Sequence, residues 1–454
     1  MEQFFNKIII NKKIKKNSFF LFIFLTLFTI LLISVRADPV GSVKVDLPGF
    51  VGLTLVALIT VYVSYRNKSL ASILYLALAV RLITIFLGDN FIILPDSWGD
   101  ATRYEQRAWE MSQDGFFGVF GNFPNENASF HISWIIAFFY SLTDRSPLMC
   151  QSIILIFGMG SVFFGSQIAN KIWNKKISLK VGWILALYPT LILYSCLILR
   201  EAFIWFFLLV ALYGIISWIK NDGLKSYMFI FIGFIGASFF HGAMFIGGLI
   251  FITILIYTHF IKIIKGLNYL KISTSSLIIF ILSIISIFFI ISYAKYIPKF
   301  GDIGASFGFE NILIEISNRN IKGASFPEWT VPKTSFELLY KTPIRIIYFM
   351  FSPFPWDITK TSHLFGLLDG TFFLIMTFVI LKNFQVIWND KTLRILFIIL
   401  LAYLAVYGLA TGNFGTGIRH RTKFVIPLIL LAAPWLPSFV FNKNKQIIIK
   451  KNYM

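Results

Sequence analysis

Long apolar segments that carry almost no charge constrain this chain more than any other feature of its sequence. An α-helix needs about 20 mostly apolar residues to cross a bilayer, and many of these segments approach that length. Charged residues make up only 14% of the chain, whereas average soluble proteins carry about 25%. The sequence therefore predicts an all-α, polytopic integral membrane protein, and it excludes a soluble enzyme, a secreted disulfide scaffold and a disordered chain.

About twelve apolar runs are predicted to span the membrane. They lie near residues 18–35, 48–64, 70–88, 149–169, 180–198, 203–219, 226–241, 243–262, 274–294, 365–382, 393–411 and 422–438. The first run follows a lysine-rich start, an order that also fits a signal peptide, but no small-x-small cleavage site follows it, which favours an uncleaved span. Two shorter apolar pieces, 130–143 and 344–354, are predicted to be re-entrant or interfacial. The whole chain, 1–454, is predicted to form one integral membrane domain.

The charge distribution predicts the orientation. The formal net charge is +20, and its basic residues concentrate in short loops and tails beside apolar runs, as the positive-inside rule describes. This pattern does not indicate a nucleic-acid partner; the basic tails are instead expected to meet membrane lipids. If the two short pieces do not span, every lysine-rich loop lies on the cytoplasmic side with both termini. The exoplasmic face then receives residues 89–148, 295–364 and 412–423.

The first exoplasmic segment, 89–148, departs from the cationic character of the other loops. Its first part is rich in acidic residues, which are Asp89, Asp96, Asp100, Glu105, Glu110 and Asp114. Asp100 precedes the helix-compatible stretch ATRYEQRAWEM and is predicted to be its N-cap. One face of that helix is predicted to lie on the membrane and to offer acceptor-binding candidates. The residues of this face are Arg103, Tyr104, Arg107, Ala108 and Met111.

Residues 75–220 resemble the corresponding part of GT-C superfamily membrane glycosyltransferases. The likeness rests on a span followed by the pattern D-x3-Y-x3-A, which Asp100, Tyr104 and Ala108 form here. It continues through HISWIIAFFYSLTDRSPLMCQ and the proline-containing ILALYPTLILYSCLILRE. The loop aspartate is the catalytic base in those enzymes, so the resemblance implies this role for Asp100.

The chain also departs from that family. It lacks the Asp-Glu pair that follows the proline-containing span in many relatives, and Phe130, His131 and Ile132 stand in place of a His-Pro-Pro segment. These departures leave Asp96 as the competing candidate for the base, and they argue against a standard protein mannosyltransferase.

Arg200 and Glu201 interrupt the apolar stretch from Val181 to Trp218. Each would cost roughly 2.5 to 3.5 kcal/mol at a helix centre, so both are predicted to lie at a turn near the outer face. One alternative is that they form a paired turn between two spans. The other is that they bind substrate, with Arg200 contacting a lipid-linked phosphate and Glu201 orienting that phosphate or a sugar hydroxyl.

The late segment TGNFGTGIRHRTKFVIP places basic residues on the side from which the positive-inside rule excludes them. These residues are Arg419, His420, Arg421 and Lys423. Arginine binds phosphate oxygens bidentately, so a phosphate-binding site is predicted, with an interfacial anchor as the alternative. The segment resembles the arginine-bearing, glycine-rich loop of Wzy-type polysaccharide polymerases.

The second exoplasmic segment, 295–364, mixes charges of both signs with aromatic residues. Trp329 is its candidate for contact with an acceptor, and a packed lid is the alternative. No histidine spacing in the chain supports a metal site, and no cofactor is predicted; whether a divalent metal is required stays open. The two cysteines, Cys150 and Cys196, form no disulfide framework.

Together these features predict a glycosyltransferase in the cytoplasmic membrane of a bacterium. It would take a polyprenyl-phosphate or polyprenyl-pyrophosphate sugar on the outer face and transfer the glycan to a glycan or lipid acceptor of the envelope. Asp100 or Asp96 would accept the proton of the acceptor hydroxyl, while Arg419, Arg421 and Arg200 stabilise the departing phosphate. A Wzy-type repeat-unit polymerase and a flippase for lipid-linked oligosaccharides are the alternatives.

Overall fold

The computed structural model describes residues 23–37, 43–124, 128–220, 223–268, 273–293, 313–314, 316–317, 324–359 and 362–437. The chain forms two compact units. The first unit contains Met1–Asn122, Ser133–Val162 and Ala186–Leu199, and the second contains Phe123–Ile132, Phe163–Leu185 and Arg200–Met454.

The described residues are almost entirely helical, which confirms the all-α prediction. The helices in chain order are α1 (Ile23–Ser34), α2 (Leu47–Arg66), α3 (Ala71–Asn90), α4 (Asp100–Ser112), α5 (Gly115–Gly121), α6 (His131–Tyr140), α7 (Pro147–Ile172), α8 (Lys175–Leu187), α9 (Pro189–Tyr194), α10 (Glu201–Ile219), α11 (Leu224–Phe240), α12 (Phe245–Asn268), α13 (Thr274–Tyr293), α14 (Ser335–Phe351), α15 (Ser362–Lys382), α16 (Phe384–Asn389), α17 (Lys391–Ala410), α18 (Phe414–Arg421) and α19 (Val425–Ala432). One short antiparallel hairpin, β1 (Val35–Ala37) with β2 (Val43–Val45), follows α1.

Seven helices in the described ranges are long and apolar enough to cross a membrane. They are α2, α3, α7, α10, α12, α15 and α17, and each coincides with a predicted span. The predicted run 130–143 contains the ten-residue helix α6, too short to span, and the piece 344–354 mostly forms the end of α14. Hydropathy therefore located these elements correctly.

Two predicted spans are interrupted, the first by a proline and the second by a 3-10 turn. In the run 180–198, α8 ends at Leu187, Tyr188 is extended, and Pro189 opens the six-residue α9. Proline disfavours a helical conformation in the residue before it and has no N–H to continue the helical ladder. In the run 422–438, a 3-10 turn (Thr422–Phe424) precedes the eight-residue α19. Neither run forms one continuous helix.

Small residues allow α10 and α11 to pack unusually closely in the second unit. A Cβ atom on Gly233 would lie 2.2 Å from the backbone nitrogen of Ala211, and one on Gly214 would lie 2.7 Å from that of Ile230. Helices in membranes commonly approach through such small residues. This contact fixes α11 against α10, whose first residue, Glu201, belongs to the candidate site.

Candidate functional site

A buried carboxylate surrounded by cationic side chains lies at the start of α10 in the second unit. Arg419 Nε donates to Glu201 Oε1 at 2.7 Å, and Lys423 Nζ lies 3.9 Å from the same oxygen. Arg200 is close enough for its charge to act on this carboxylate. The side chains of Glu201 and Lys423 are 1% and 0% exposed, while Arg419 keeps 13% exposure. Of these three side chains, Arg419 is therefore the one that a ligand can reach from outside the protein.

Local sequence explains why Arg419 and Lys423 converge. The Asn413 side chain accepts a hydrogen bond from Thr416 N at 2.7 Å and caps α18. The short helix and the 3-10 turn after it bring positions 419 and 423 onto one face, as expected for residues four apart. Both cations thus reach the single carboxylate of Glu201.

Two histidines and a tyrosine border this cationic site. Tyr407 Oη and His241 Nδ1 are 2.9 Å apart, and the His420 ring lies 5.3 Å from that of Tyr407 and 5.4 Å from that of His241. Lys423 Nζ lies 5.4 Å from the centre of the Tyr407 ring. The sequence alone assigned no role to His241 or Tyr407, because their partners are far away in the chain.

Arg200, the residue before Glu201, is held by the end of a helix. Its Nη1 donates to the carbonyl of Phe240 at 3.0 Å, and Phe240 is the last residue of α11. The carbonyl end of a helix carries partial negative charge and favours a cation. The predicted pair therefore sits at a turn, with Arg200 anchored by α11 and Glu201 beginning α10.

Arg421 points away from this cluster. Two positions apart on a helix corresponds to about 200° of rotation. Its Nε donates to Asp369 Oδ2 at 2.6 Å, Nη2 donates to the Gly366 carbonyl at 2.8 Å, and Nη1 donates to the carbonyls of Met350 and Ser352. The guanidinium is completely buried. Three peptide carbonyls and a carboxylate occupy it, so these contacts fit a packing role better than phosphate binding.

Helices that reach the Glu201 cluster carry lysines at their opposite ends. At the far end of α10, which is about 28 Å long, Lys171 Nζ donates to Ser217 Oγ and Lys391 lies over the Trp218 ring. Lys391 begins α17, whose other end carries Tyr407. Cationic side chains therefore lie at both ends of these helices, and at the Glu201 end they surround a carboxylate.

In the first unit, Asp96 is held in an unusual backbone conformation. Its φ is +59°, a region that few non-glycine residues adopt and in which aspartate is enriched. Its Oδ2 accepts a hydrogen bond from Tyr194 Oη at 2.6 Å. Tyr194 is buried, and the next residue, Ser195, accepts from the buried Arg81 at 2.8 Å. Asp96 is thus fixed on a rigid support while its side chain stays exposed.

Asp100 has a different environment. It is the first residue of α4, and Gly99, with φ +76°, occupies the N-cap position that the sequence predicted for Asp100. The Asp100 carboxylate pairs with Arg103 Nη2 at 2.9 Å, and both side chains are substantially exposed. Glycine replaces the expected cap because the chain enters the helix through a left-handed turn.

Part of the predicted face of α4 is buried inside the protein. Tyr104, Ala108 and Met111 are buried as expected, whereas Arg103 and Arg107 are exposed, the latter paired with Glu110 at 3.1 Å. The charged member of the buried residues is Glu105, to which the sequence alone assigned no role. Arginine tips can stay with solvent-facing acids while the stems lie on apolar surface, so contact of this face with the membrane stays a prediction.

Glu105 joins three other elements through a polar network. Arg145 Nε and Nη2 donate to its two carboxylate oxygens at 2.9 and 2.6 Å, and Tyr140 Oη donates at 2.8 Å. Cys150 Sγ lies 3.0 Å from Tyr140 Oη. Burial opposes ionisation of Glu105, but the hydrogen bonds from Arg145 and Tyr140 outweigh it and lower the pKa of the carboxyl. The network anchors α4 to α6 and α7.

We expect this network to make stability depend on pH. Because the pKa of Glu105 is lower in the folded chain, its contribution is fully present above the usual glutamate value and is lost as pH falls through the lowered value. Glu105→Gln should cost roughly 1 kcal/mol of unfolding free energy near neutral pH and progressively less as pH falls below the usual glutamate value. Unfolding of both proteins in detergent at neutral pH and over an acidic series checks this; a difference that stays constant throughout the series would contradict it.

Trp329 lies on a 3-10 turn, Glu328–Thr330, in the second unit. It is 57% exposed, and its ring meets Tyr348 edge-on at 5.9 Å. In the described residues, no group of three or more His, Cys, Asp or Glu side chains is placed to hold a metal ion. Both cysteines are buried and free.

No protein-family model, curated protein or solved structure matches the chain. Its function is therefore inferred from its own residues.

Proposed function

We propose that this protein is a membrane-embedded glycosyltransferase whose donor is a sugar linked to a polyprenyl phosphate or pyrophosphate. The observation that carries the proposal is the convergence of Arg200, Arg419 and Lys423 on the buried Glu201 at one end of membrane-length helices. Such a site suits an anionic headgroup that arrives from the lipid. The acceptor is a glycan or lipid of the cell envelope.

The cationic groups have distinct roles in this proposal. Arg419, the partly exposed member, contacts phosphate oxygens through its planar guanidinium, with Lys423, Arg200 and His420 around it. Glu201 Oε1 orients Arg419, while Glu201 Oε2 is buried and accepts no hydrogen bond from the described residues; a small rearrangement on donor binding lets it accept one from a sugar hydroxyl. Arg421 holds α15 and α14 to α18 and contacts no substrate.

The reaction is a displacement at the anomeric carbon. The acceptor oxygen forms a bond to that carbon, the bond from the carbon to the phosphate oxygen breaks, and the lipid phosphate leaves with the electron pair. The proton of the acceptor hydroxyl passes to a carboxylate base, for which Asp96 and Asp100 are the candidates. Phosphate needs no general acid, because the cations stabilise its developing charge.

Asp96 is the favoured base, because it is exposed and fixed by Tyr194, whereas Asp100 is engaged by Arg103. We expect Asp96→Asn to lower transfer by at least about a hundredfold, and Asp100→Asn to lower it by less than about tenfold. Glycan transfer by membranes that contain equal amounts of each variant measures the two effects. The reverse order would assign the base to Asp100.

The membrane orientation belongs to the same proposal. The lysine-bearing helix ends are cytoplasmic and the Glu201 cluster is exoplasmic, with about twelve spans, two exoplasmic segments and both termini inside. Because Cys150 and Cys196 are buried, single cysteines can be introduced at the exposed Arg103, Lys175 and Thr416. An impermeant maleimide should label positions 103 and 416 in intact cells and position 175 only after permeabilisation. Labelling of position 175 in intact cells would contradict the re-entrant assignment of 130–143.

A surface-polysaccharide gel of a strain that lacks the gene tests the proposed function and distinguishes it from the alternative functions. Loss of the ladder to a single-repeat band indicates a Wzy-type polymerase, and a full ladder of altered mobility indicates a transferase that adds one sugar. Loss of all surface glycan with lipid-linked repeats retained inside indicates a flippase. An unchanged gel would overturn the proposal.

A further inference from the structure

An aromatic cluster in the second unit is not used by the phosphate site. Tyr348 lies at its centre, with ring centroids 5.4 Å from Phe326, 5.9 Å from Trp329 and 5.2 Å from Phe354. Trp356 stacks on Phe354 at 4.9 Å with an interplanar angle of 12°. The rings thus form one continuous surface around a largely buried tyrosine.

Both tryptophans of this cluster are open to the surroundings and stand beside carboxylates. Trp329 is 57% exposed and Trp356 is 74% exposed. Glu328 precedes Trp329, and Asp357 follows Trp356. Sugar rings place their C–H faces on indole rings while their hydroxyls donate to carboxylates, so this combination suits a saccharide better than an acyl chain.

A cavity of about 630 Å³ shares Phe326 with the cluster, and its lining includes Glu328, the residue before Trp329, but neither tryptophan. Its volume is within the range of small-molecule sites. Its walls combine aliphatic surface with two hydroxyls, a carboxylate and an ammonium group. The lining residues are Leu313, Ile314, Ser317, Ser325, Phe326, Glu328, Val331, Pro332 and Lys333. The mixture provides donors and acceptors for several hydroxyl groups.

The wall of this cavity is joined by hydrogen bonds to the segment that leads into the phosphate site. Phe326 N donates to the Gly412 carbonyl and Phe414 N donates to the Ala324 carbonyl, both at 2.9 Å. The buried Arg345 holds the carbonyl of Thr411 at 2.7 Å. Arg419 follows one short helix later in the chain, about 9 Å along α18 from Asn413. A glycan in the cavity would therefore lie beside the segment that leads into α18, the helix that carries Arg419.

We infer that the cavity beside Phe326 and Glu328, with the exposed faces of Trp329 and Trp356, forms a saccharide-binding cleft. Its role in holding the glycan of a donor or acceptor rests on the proposed function; its binding of saccharide does not. The competing occupant is interfacial lipid, which also attracts exposed tryptophans, and the experiment distinguishes the two.

The test uses the full chain in phosphatidylcholine nanodiscs, free of sugar-based detergent, on an array of immobilised bacterial oligosaccharides without lipid phosphate. Wild type is expected to bind a subset of these glycans. Trp329→Ala and Trp356→Ala should weaken that binding by about tenfold or more, which corresponds to roughly 1.4 kcal/mol, whereas Trp329→Phe should retain most of it. Trp388 is the matched control, because it is 43% exposed and stacks on Phe384 at 5.5 Å; Trp388→Ala should bind as wild type does.

Absence of glycan binding by wild type, or an equal loss in Trp388→Ala, would overturn the inference. A second measurement compares the fluorescence of Trp356, taken as the part that Trp356→Phe removes, with that of Trp388. If brominated lipids quench both equally, the Trp356 ring faces lipid and the inference is overturned. The array carries no lipid phosphate, so its result is independent of the donor. If the array shows no glycan binding, the proposed phosphate site at Arg419 is unaffected. If the array shows glycan binding, that result holds even when Arg419 variants transfer glycan at the wild-type rate.

Discussion

Replacement of Arg419 by alanine is expected to lower glycan transfer by at least about a hundredfold, the usual loss when one donor to a developing anion is removed. Arg419 is the partly exposed cation of the cluster, and its Nε is already oriented by Glu201 Oε1 at 2.7 Å. Its loss removes the planar donor group from the leaving phosphate. The measurement is the initial rate of transfer by purified variants at matched protein concentration.

Two further variants sharpen this prediction. Arg419→Lys keeps the charge but loses the bidentate geometry, so it should recover only part of the rate. Arg394→Ala is the matched control, because Arg394 lies near the lysine-bearing end of α17 and donates to the Trp388 carbonyl; it should transfer at the wild-type rate. Equal losses in the Arg394 and Arg419 variants would show a general charge effect and contradict the assignment.

Arg421→Met is expected to have the largest effect on stability, about 3–5 kcal/mol of unfolding free energy. The substitution leaves the Asp369 carboxylate buried without its guanidinium partner, and the carbonyls of Met350, Ser352 and Gly366 lose a donor. The methionine fills much of the arginine volume, so the loss reflects polar contacts rather than a cavity. Unfolding by denaturing detergent, followed by circular dichroism, measures it.

The control for stability is Arg394→Met, which should change the unfolding free energy by less than about 1 kcal/mol, as for surface substitutions. An Arg421→Met protein as stable as wild type would show that the Asp369 contact is dispensable. That outcome would return Arg421 to the candidates for phosphate binding.

Hydropathy predicted the long helices because a membrane helix needs only length and apolar composition. The runs that became α2, α3, α7, α10, α12, α15 and α17 meet both conditions. The run 180–198 meets them too, yet Pro189 divides it into α8 and α9. Composition reports transfer into lipid, whereas continuity of the helix depends on backbone hydrogen bonds that proline removes.

Part of the candidate site was also predictable, because charges inside apolar sequence are costly and therefore noticeable. Arg200 and Glu201 were singled out on this ground, and Arg419 was singled out because the positive-inside rule excludes basic residues from its predicted side. Glu201 and Arg419 form an ion pair. The opposite orientations of Arg419 and Arg421 follow from helix rotation, but their partners do not. Glu201 and Asp369 lie far from them in the chain, so only tertiary structure distinguishes the cluster residue from the packing residue.

The central claim is that the Arg419 cluster binds a lipid-linked phosphate, and native mass spectrometry tests it most directly. Wild type, Arg419→Ala and Arg394→Ala would be released from detergent in the presence of polyprenyl phosphate or polyprenyl pyrophosphate. We predict a one-to-one adduct with wild type and Arg394→Ala that is lost in Arg419→Ala. Absence of the adduct from wild type, or its full retention in Arg419→Ala, would contradict the account.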